Sequence, residues 1–444
     1  MADDGVAGGL IAVAHFRNVS ADSQPMLVPA ALQRLTGDAW LLFATRFIRL
    51  FAYGSLSVVL VFYLVGIGLS EPQTGMLLTL ILVGDTVVSL SLTTRADRIG
   101  RRRMLMVGGL LMVAAGLVFA STSKLWILAI AGTLGVISPS GNEVGPFLSI
   151  EQAALSHVIT DRTRTEVFAW YTLAGSLATA LGALAAGSAT RLLQATVMPA
   201  VSSYRAVVVL YAALGLVLTV LFARLSGAAE ATTLGEKKAF QATFAGLSGL
   251  GPSRDVVLRL SGLFALDSFG GGFVIQSFAA YWFYLRFGIN PGTLGVIFFW
   301  ANVFAGISAL LASRLAARFG LIRTMVGTHL PSNILLILVP LMPTLPWAVA
   351  MLLVRFSISQ MDVPTRQSYI MAVVSPQERS AAAGITGVAR TIGAAISPLF
   401  VGFLFARPAL ISLPFFIAGT LKIVYDLLLY RAFVAVQPPE EIQQ

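Results

Sequence analysis

The chain has 444 residues, of which 57% are hydrophobic and only 11% are charged, and it contains no cysteine. This composition excludes a soluble domain and a disulfide-stabilised scaffold, and it is typical of a helical protein that crosses a membrane many times. The net charge of +10 would favour a nucleic-acid partner in a soluble chain, but the basic residues lie in short loops, where they report topology. We therefore expect the lipid bilayer and a small-molecule substrate as partners, and no nucleic acid.

Apolar windows predict twelve transmembrane helices, because each is about long enough to cross a ~30 Å hydrocarbon core at ~1.5 Å per residue. The windows are residues 39–66, 73–95, 103–121, 125–156, 165–190, 204–226, 256–286, 291–316, 322–341, 345–372, 379–405 and 409–431. A polar stretch at 227–255 with several Gly and Ser residues is typical of a linker. It divides the chain into two six-helix halves, 39–226 and 256–431. Tails of 1–38 and 432–444 flank them.

The basic residues of the predicted loops lie mainly on one side of the membrane. The opposite side holds only Lys124, Arg191, Arg205, Arg286 and Arg407. Lys and Arg in short loops mark the cytoplasmic side. We therefore expect a protein of the plasma (inner) membrane with both termini and the linker in the cytoplasm.

The loop between the second and third predicted helices concentrates charge in the segment Asp97-Arg98-Ile99-Gly100-Arg101-Arg102-Arg103. Gly100 permits a tight reversal of the chain. This order of residues resembles the corresponding loop of the major facilitator superfamily of secondary transporters. The resemblance implies a gate at the cytoplasmic face that contains Asp97, Arg98, Gly100 and Arg101, with the acidic side chain meeting a neighbouring helix end.

Internal repetition extends this resemblance over residues 39–431. Phe43-Ala44-Thr45-Arg46 matches Phe264-Ala265-Leu266-Asp267 at an offset of 221 residues. At an offset of 215 residues, Gln152, Arg164 and Gly187 match Gln367, Arg379 and Gly402. Near-constant offsets are typical of duplicated transporter halves. The sequence therefore predicts an all-α integral membrane protein with twelve transmembrane helices in two pseudo-symmetric halves, the major facilitator fold.

Many charged residues fall inside the predicted helices. A charge at the bilayer centre costs on the order of 2.5–3.5 kcal/mol, so each needs a partner or a wet cavity. Arg46 and Asp267 occupy matched positions, which predicts a salt bridge across the pseudo-two-fold axis, either structural or involved in gating or proton coupling. Glu151 and Arg366 are matched as well and predict a second bridge between the halves near the cytoplasmic end.

The fourth predicted helix contains Pro139-Ser140-Gly141-Asn142-Glu143. Proline removes a backbone donor, and unwound backbone within a membrane is tolerated where it lines a cavity. Glu143 is therefore the first candidate for a protonatable group. The alternative is a hydrogen-bonded Glu143 that never titrates. In the tenth helix, Asp362 and Arg366 are four residues apart and predict an intrahelical pair, and the same spacing predicts that Lys422 and Asp426 neutralise each other in the twelfth.

The candidate residues fall into three groups. The proton-coupling candidates are Glu143, Asp267 and Asp85. The cavity and substrate candidates are Arg46, Arg49, Asn142, Gln276, Arg355 and Asp362. The gating candidates are Asp97, Arg98, Gly100, Arg101, Glu151, Arg366 and Arg379. Asp85 is expected to pair with Arg49 or Arg390, and close helix packing is expected at Gly387, Gly393 and Gly402.

No metal site and no cofactor is expected. The three histidines, His15, His157 and His329, lie near predicted helix ends or tails and have no metal-ligand spacing. A phosphate-binding Gly-Lys-Ser/Thr loop is absent from the sequence, so a proton gradient rather than ATP is the expected energy source. We therefore expect a transporter and not an enzyme.

The leading hypothesis is a monomeric, proton-coupled secondary transporter that works by alternating access and exports a small amphipathic or toxic compound. An alternative is uptake or export of an organic or inorganic anion that pairs with the cavity arginines. A hypothesis of another class, a receptor or scaffold on the same fold, is disfavoured by the short tails and linker. Flux measured in liposomes under an imposed pH gradient separates transport from sensing.

Overall fold

The computed structural model describes residues 35–141, 147–159, 164–196, 198–230, 250–375 and 378–435. In these ranges the chain forms α-helices joined by short turns and three single 3-10 turns, and it forms no strand. The α-helices are α1 (Gly37–Gly66), α2 (Glu71–Ile99), α3 (Arg101–Ser121), α4 (Leu125–Leu134), α5 (Phe147–Val158), α6 (Arg164–Ala195), α7 (Ala200–Phe222), α8 (Arg254–Gly272), α9 (Gln276–Phe287), α10 (Pro291–Phe319), α11 (Leu321–Leu338), α12 (Leu345–Ser359), α13 (Asp362–Val373), α14 (Arg379–Phe405) and α15 (Leu413–Phe433).

Ten helical segments within the described ranges are long and apolar enough to cross a membrane. The other two predicted crossings, the fourth and the tenth, are each built from two shorter helices, α4 with α5 and α12 with α13. These two crossings occupy equivalent places in the two halves. The prediction of an all-helical membrane protein with the twelve-helix fold is therefore confirmed.

Three predicted crossings are interrupted, and the sequence indicated only one of the breaks. The interruption near Pro139 is confirmed, since the backbone from Gly135 to Gly141 is not helical. The seventh crossing was predicted as continuous but breaks between Gly272 and Gln276, after three consecutive glycines that weaken helix formation. The tenth breaks after Ser359, because Pro364 cannot donate a backbone hydrogen bond to the preceding turn.

Single glycines reverse the chain between long helices at one end of the molecule. Gly100 joins α2 to α3 with a φ of 115°, and its repeat-matched partner Gly320 joins α10 to α11 with a φ of 85°. Residues with side chains rarely adopt such positive φ angles. The predicted reversal at Gly100 is thus confirmed. Asp97 and Arg98 belong to the last turn of α2, but their side chains lie outside the described part of the structure.

The two halves pack tightly at the end of the molecule opposite to these turns. We call the end with Gly100, Gly320 and the linker the linker end, and the other the far end. Near the far end, a Cβ on Gly402 of α14 would lie 2.5 Å from the carbonyl oxygen of Glu71, and one on Gly187 of α6 would lie 2.6 Å from that of Pro291. Side chains are excluded there, so backbone meets backbone across the halves. The predicted packing role of Gly402 is confirmed.

At the linker end the halves have separate cores. One buried apolar cluster covers the first half and continues into the second half near the far end, through residues such as Phe278 and Phe283. A second cluster, which includes Leu250, Phe264 and Phe433, lies within the second half at the linker end. A shared core at one end and divided cores at the other mean that the molecule is closed at the far end and open toward the linker end.

Glu378, just before α14, ties the starts of two helices together at the linker end. Its carboxylate accepts hydrogen bonds from the backbone N–H groups of Gly251 and Ser253, before α8. The hydrogen bonds from Ser253 and Gly251 lower the pKa of Glu378 below its ordinary value. A depressed carboxyl pKa contributes stability above the unfolded-state pKa of about 4.3, and that contribution disappears as the pH falls through the folded-state pKa.

We expect Glu378→Gln to lower the melting temperature at pH 7, and we expect the difference from the parent to shrink as the pH falls below about 4.3 and through the folded-state pKa, because the parent carboxyl is then protonated as well. Thermal unfolding in detergent across this pH range measures the difference. A gap between parent and variant that stays constant over the whole range would contradict the assignment.

Candidate functional site

The first half holds a buried cluster around Glu151 of α5. Arg49 of α1 forms an ion pair with Glu151 at 2.8 Å, and both side chains are 0% exposed. Thr45, one turn before Arg49, donates a hydrogen bond to the other carboxylate oxygen at 3.1 Å. The hydroxyl of Tyr171 on α6 donates to Glu151 too, and the guanidinium of Arg46 lies 4.3 Å above the centre of the Tyr171 ring. Three helices therefore meet at one fully desolvated carboxylate.

The second half holds a larger cluster around Asp267 of α8. One carboxylate oxygen of Asp267 lies 3.1 Å from Arg366 of α13, and the other lies 2.6 Å from the ammonium of Lys422 on α15. Arg366 also bonds to Asp362 of its own helix at 3.1 Å. The predicted pair of Asp362 with Arg366 is therefore confirmed, but as one part of a network that joins three helices.

The two salt bridges predicted between the halves are wrong, because Asp267 and Glu151 form ion pairs with other partners. Arg46 was expected to meet Asp267, and Glu151 was expected to meet Arg366, whereas Asp267 pairs with Arg366 inside the second half and Glu151 pairs with Arg49 inside the first. The reason is geometric, because matched helices of the two halves face each other across the opening at the linker end. The first and fourth crossings of one half are direct neighbours. Glu151 and Arg366 are matched by the repeat, and their partners Arg49 and Asp267 lie about one helical turn apart in the repeat, so the two bridges occupy similar places with inverted sign.

His329 on α11 is buried beside this second cluster. Its Nδ1 lies 2.8 Å from Asp426 of α15, and its Nε2 lies 3.7 Å from Asp267. Asn333, one turn along α11, donates to the second oxygen of Asp426 at 2.9 Å. The expectation that His329 lies near a helix end is wrong, as is that of a Lys422–Asp426 pair. A signal in the sequence was available, since His329 and Asn333 are four residues apart in an otherwise apolar helix.

Arg355 of α12 and Arg390 of α14 bring additional positive charge to the same region. Both are half-buried, and neither forms an ion pair with any described residue. The Nε of each is buried without a hydrogen-bond partner among the described residues. Asp267 and Asp362 are close enough to act electrostatically on both guanidinium groups. With Arg366 and Lys422 already bound to these acids, the cluster has a surplus of positive charge.

A polar junction joins the halves between this region and the far end. Gln276, the first residue of α9, donates to Ser57 of α1 at 2.7 Å and accepts from Asn302 of α10 at 3.1 Å. Ser277 donates to the carbonyl oxygen of Pro139 at 2.6 Å. The two interrupted crossings thus contact each other where their backbones unwind. Gln276, predicted for the cavity, lies at the closed junction of the halves.

The other predicted site residues are spread over the fold. Asp85 is buried in the middle of α2, and Arg390 forms no ion pair with it. Arg101 is buried at the linker end, where its backbone N–H donates to Glu230 at 2.7 Å. Arg379 is exposed as the first residue of α14. Asn142 and Glu143 lie outside the described residues, so the assignment of Glu143 as a proton carrier stays a prediction.

The fold is that of a membrane transporter, with two bundles that meet at one end and buried charge near the centre of each. The family model of the Major Facilitator Superfamily matches residues 42–398 and 260–444. The uncharacterized membrane protein YJR124C of Saccharomyces cerevisiae is 32% identical over 424 residues, which cover 90% of this chain and 94% of the relative. The chain belongs to the Major Facilitator Superfamily.

Solved transporters have the same fold at low sequence identity. The nucleoside transporter NupG aligns with a TM-score of 0.67 and 13% identity over 90% of this chain and 99% of that chain. The D-xylose–proton symporter aligns with a TM-score of 0.65 and 15% identity, over 88% and 97%. The human organic anion transporter MFSD10 aligns with a TM-score of 0.60 and 16% identity, over 90% and 100%. These proteins carry chemically different substrates, so the substrate of this chain has to be argued from its own site.

Proposed function

We propose that the protein is a proton-driven secondary transporter that moves a small organic anion by alternating access. The packing of the halves supports this cycle, because they are joined at the far end and separated at the linker end. Rocking of two such bundles about a central site would exchange these states. With the linker end in the cytoplasm, as the loop charges indicate, the structure would correspond to the inward-open state.

The surplus of positive charge around Arg355 and Arg390 carries the proposal of an anion. An arginine without a counter-charge is costly at membrane depth, so its retention calls for water or an anionic ligand beside it. The guanidinium group presents a planar set of donors that matches a carboxylate or phosphate bidentately. An organic anion would complete the charge balance that the described residues of this cluster leave unfinished, whereas a neutral amphipathic compound would not.

The sequence slightly favours export over uptake. We keep export in the proposal for organic anions that also have an apolar part. The ring of Phe356 lies 5.0 Å from the guanidinium of Arg355, and that of Phe264 lies 5.4 Å from Arg366. An apolar surface next to the cations would suit an anion of this kind. Transport measured with the pH gradient imposed in each direction decides between uptake and export.

The test is flux in proteoliposomes under an imposed pH gradient, with radiolabelled monocarboxylates and dicarboxylates and with their neutral amides as matched probes. We expect the carboxylates to be carried and the amides to be excluded. Arg355→Gln and Arg390→Gln should each lower carboxylate flux about tenfold or more, since a charge-assisted hydrogen bond contributes about 1.5–3 kcal/mol.

Arg318→Gln is the matched control, because Arg318 is exposed on the last turn of α10 and stacks on Phe319. It should transport like the parent protein. Equal flux of carboxylates and amides, with no effect of Arg355→Gln or Arg390→Gln, would reject an anionic substrate.

A further inference from the structure

His329 lies between two carboxylates that belong to different helices. Asp426 faces its Nδ1 at 2.8 Å, and Asp267 faces its Nε2 at 3.7 Å. The histidine is only 4% exposed. We propose that His329 is the residue that binds the coupling proton and passes the effect of that proton to Asp267. This inference rests on the proposed proton-driven transport and assigns its proton site.

The hydrogen-bonding partners define which nitrogen is open to a proton. An ionised carboxylate only accepts hydrogen bonds, so Asp426 favours the tautomer of the neutral imidazole that carries its hydrogen on Nδ1. The amide nitrogen of Asn333 lies 3.1 Å from the same Nδ1 and in this tautomer donates to Asp426 instead. The Nε2 atom then carries a lone pair, which faces an oxygen of Asp267 that also carries lone pairs. A proton delivered by hydronium from the solution bonds to that lone pair and leaves a water molecule behind, so no bond in the protein is broken. The ring gains one positive charge and becomes a donor toward Asp267.

The same oxygen of Asp267 is already occupied by Lys422. Its ammonium lies 2.6 Å from this Oδ1, whereas the imidazole Nε2 lies 3.7 Å away. A protonated His329 therefore competes with Lys422 for one acceptor. Since Arg366 bonds to the second oxygen at 3.1 Å, Asp267 would then be the acceptor for three cations. The proton thus weakens at least one of the bonds that tie α8 to its neighbouring helices.

This change acts on the crossing that joins the halves. Asp267 is five residues before the end of α8 at Gly272, and the crossing resumes with α9 at Gln276. Gln276 bonds to Ser57 of the first half at 2.7 Å. A shift of α8 relative to α13 and α15 is therefore transmitted directly to the junction that keeps the far end closed.

The remaining charged and titratable groups around His329 either favour or oppose its protonation. On α15, Asp426 favours it and Lys422 opposes it, and the ring of Tyr425 lies edge-on at 5.8 Å. On α13, Asp362 favours it and Arg366 opposes it. From α14 and α12, Arg390 and Arg355 oppose it, since both lie close enough to interact with Asp267. Arg314 and Arg318 of α10 are exposed and lie toward the linker end. Whether protonation of His329 is favoured depends on which cations bond to Asp267. Protonation therefore changes the arrangement of the helices, and the arrangement of the helices changes the proton affinity of His329 in turn.

The test needs no substrate and uses the full chain, which has no cysteine of its own. Spin labels are placed on Ile99→Cys and Phe319→Cys, at exposed positions on the linker-end turns of the two halves. The distance between the labels is measured by pulsed electron paramagnetic resonance in lipid nanodiscs from pH 8 to pH 5. We expect a reversible shift of the distance distribution with a single midpoint.

His329→Gln should abolish this shift, and His157→Gln, a matched change of a histidine on α5 outside the cluster, should preserve it. The double variant His329→Gln/Asp426→Asn removes the carboxylate that the single change leaves without its partner, and it should be folded and insensitive to pH. Absence of a shift in the parent, or a shift that persists in the double variant, overturns the proposal.

The flux test and the distance test can fail separately. Loss of carboxylate transport with an intact, His329-dependent pH shift would reject the organic anion and retain the proton site. Carboxylate transport with a pH shift that does not depend on His329 would reject the proton site alone.

Discussion

Replacement of Glu151 by glutamine is expected to lower the free energy of unfolding by about 3–5 kcal/mol, because it removes the charged carboxylate of a fully buried ion pair with Arg49. Arg49 and Glu151 are both 0% exposed, so water cannot take the place of the lost partner. The measurement is unfolding in mixed micelles, followed by circular dichroism. The double variant Arg49→Gln/Glu151→Gln should recover part of the loss, since both charges of this ion pair are then absent.

Glu71→Gln is the matched control for this experiment. Glu71 is a partly exposed carboxylate at the far end, where it accepts a hydrogen bond from Tyr281 at 3.2 Å. An exposed interaction of this kind contributes about 0–1 kcal/mol. If Glu151→Gln were no more destabilising than Glu71→Gln, the Arg49–Glu151 pair would not be a main support of the first half.

Asp267→Asn is expected to have the largest effect on transport. It removes the negative charge and one of the two acceptor oxygens to which Arg366 and Lys422 bond, in a cluster that already has surplus positive charge. We expect gradient-driven flux to be abolished and stability to fall by several kcal/mol, as for other buried charges that lose a partner. Flux in proteoliposomes and unfolding in mixed micelles measure the two effects separately.

The double variant Asp267→Asn/Lys422→Gln separates folding from function. It restores the original net charge of the cluster, so most of the stability should return. Flux should stay lost, because the negative charge that links α8 to Arg366 is still missing. Parent-like flux in either variant would show that Asp267 has only a structural role.

The buried acids and bases could be chosen from the sequence, but their partners could not. The repeat indicated that Asp267, Arg366 and Glu151 form buried ion pairs, which they do, since it relates equivalent places in the two halves. The repeat gives no information on the distance between two residues, and equivalent places in the two halves are separated by the opening between them. Asp267 therefore pairs with Arg366 of its own half. The partners of Lys422 and His329 were missed for the same reason, because each reaches its partner on another helix.

The sequence by itself determined the membrane class, the twelve crossings, the reversal at Gly100 and the break near Pro139. These features depend on local properties, namely the length of an apolar run, the φ angles open to glycine and the donor that proline lacks. Only the tertiary structure decided which end of the molecule is open, where His329 lies and which carboxylate each cation binds. Those outcomes depend on how each helix is rotated against its neighbours. A membrane helix is apolar on nearly all of its faces, so its sequence gives little indication of which face packs against another helix.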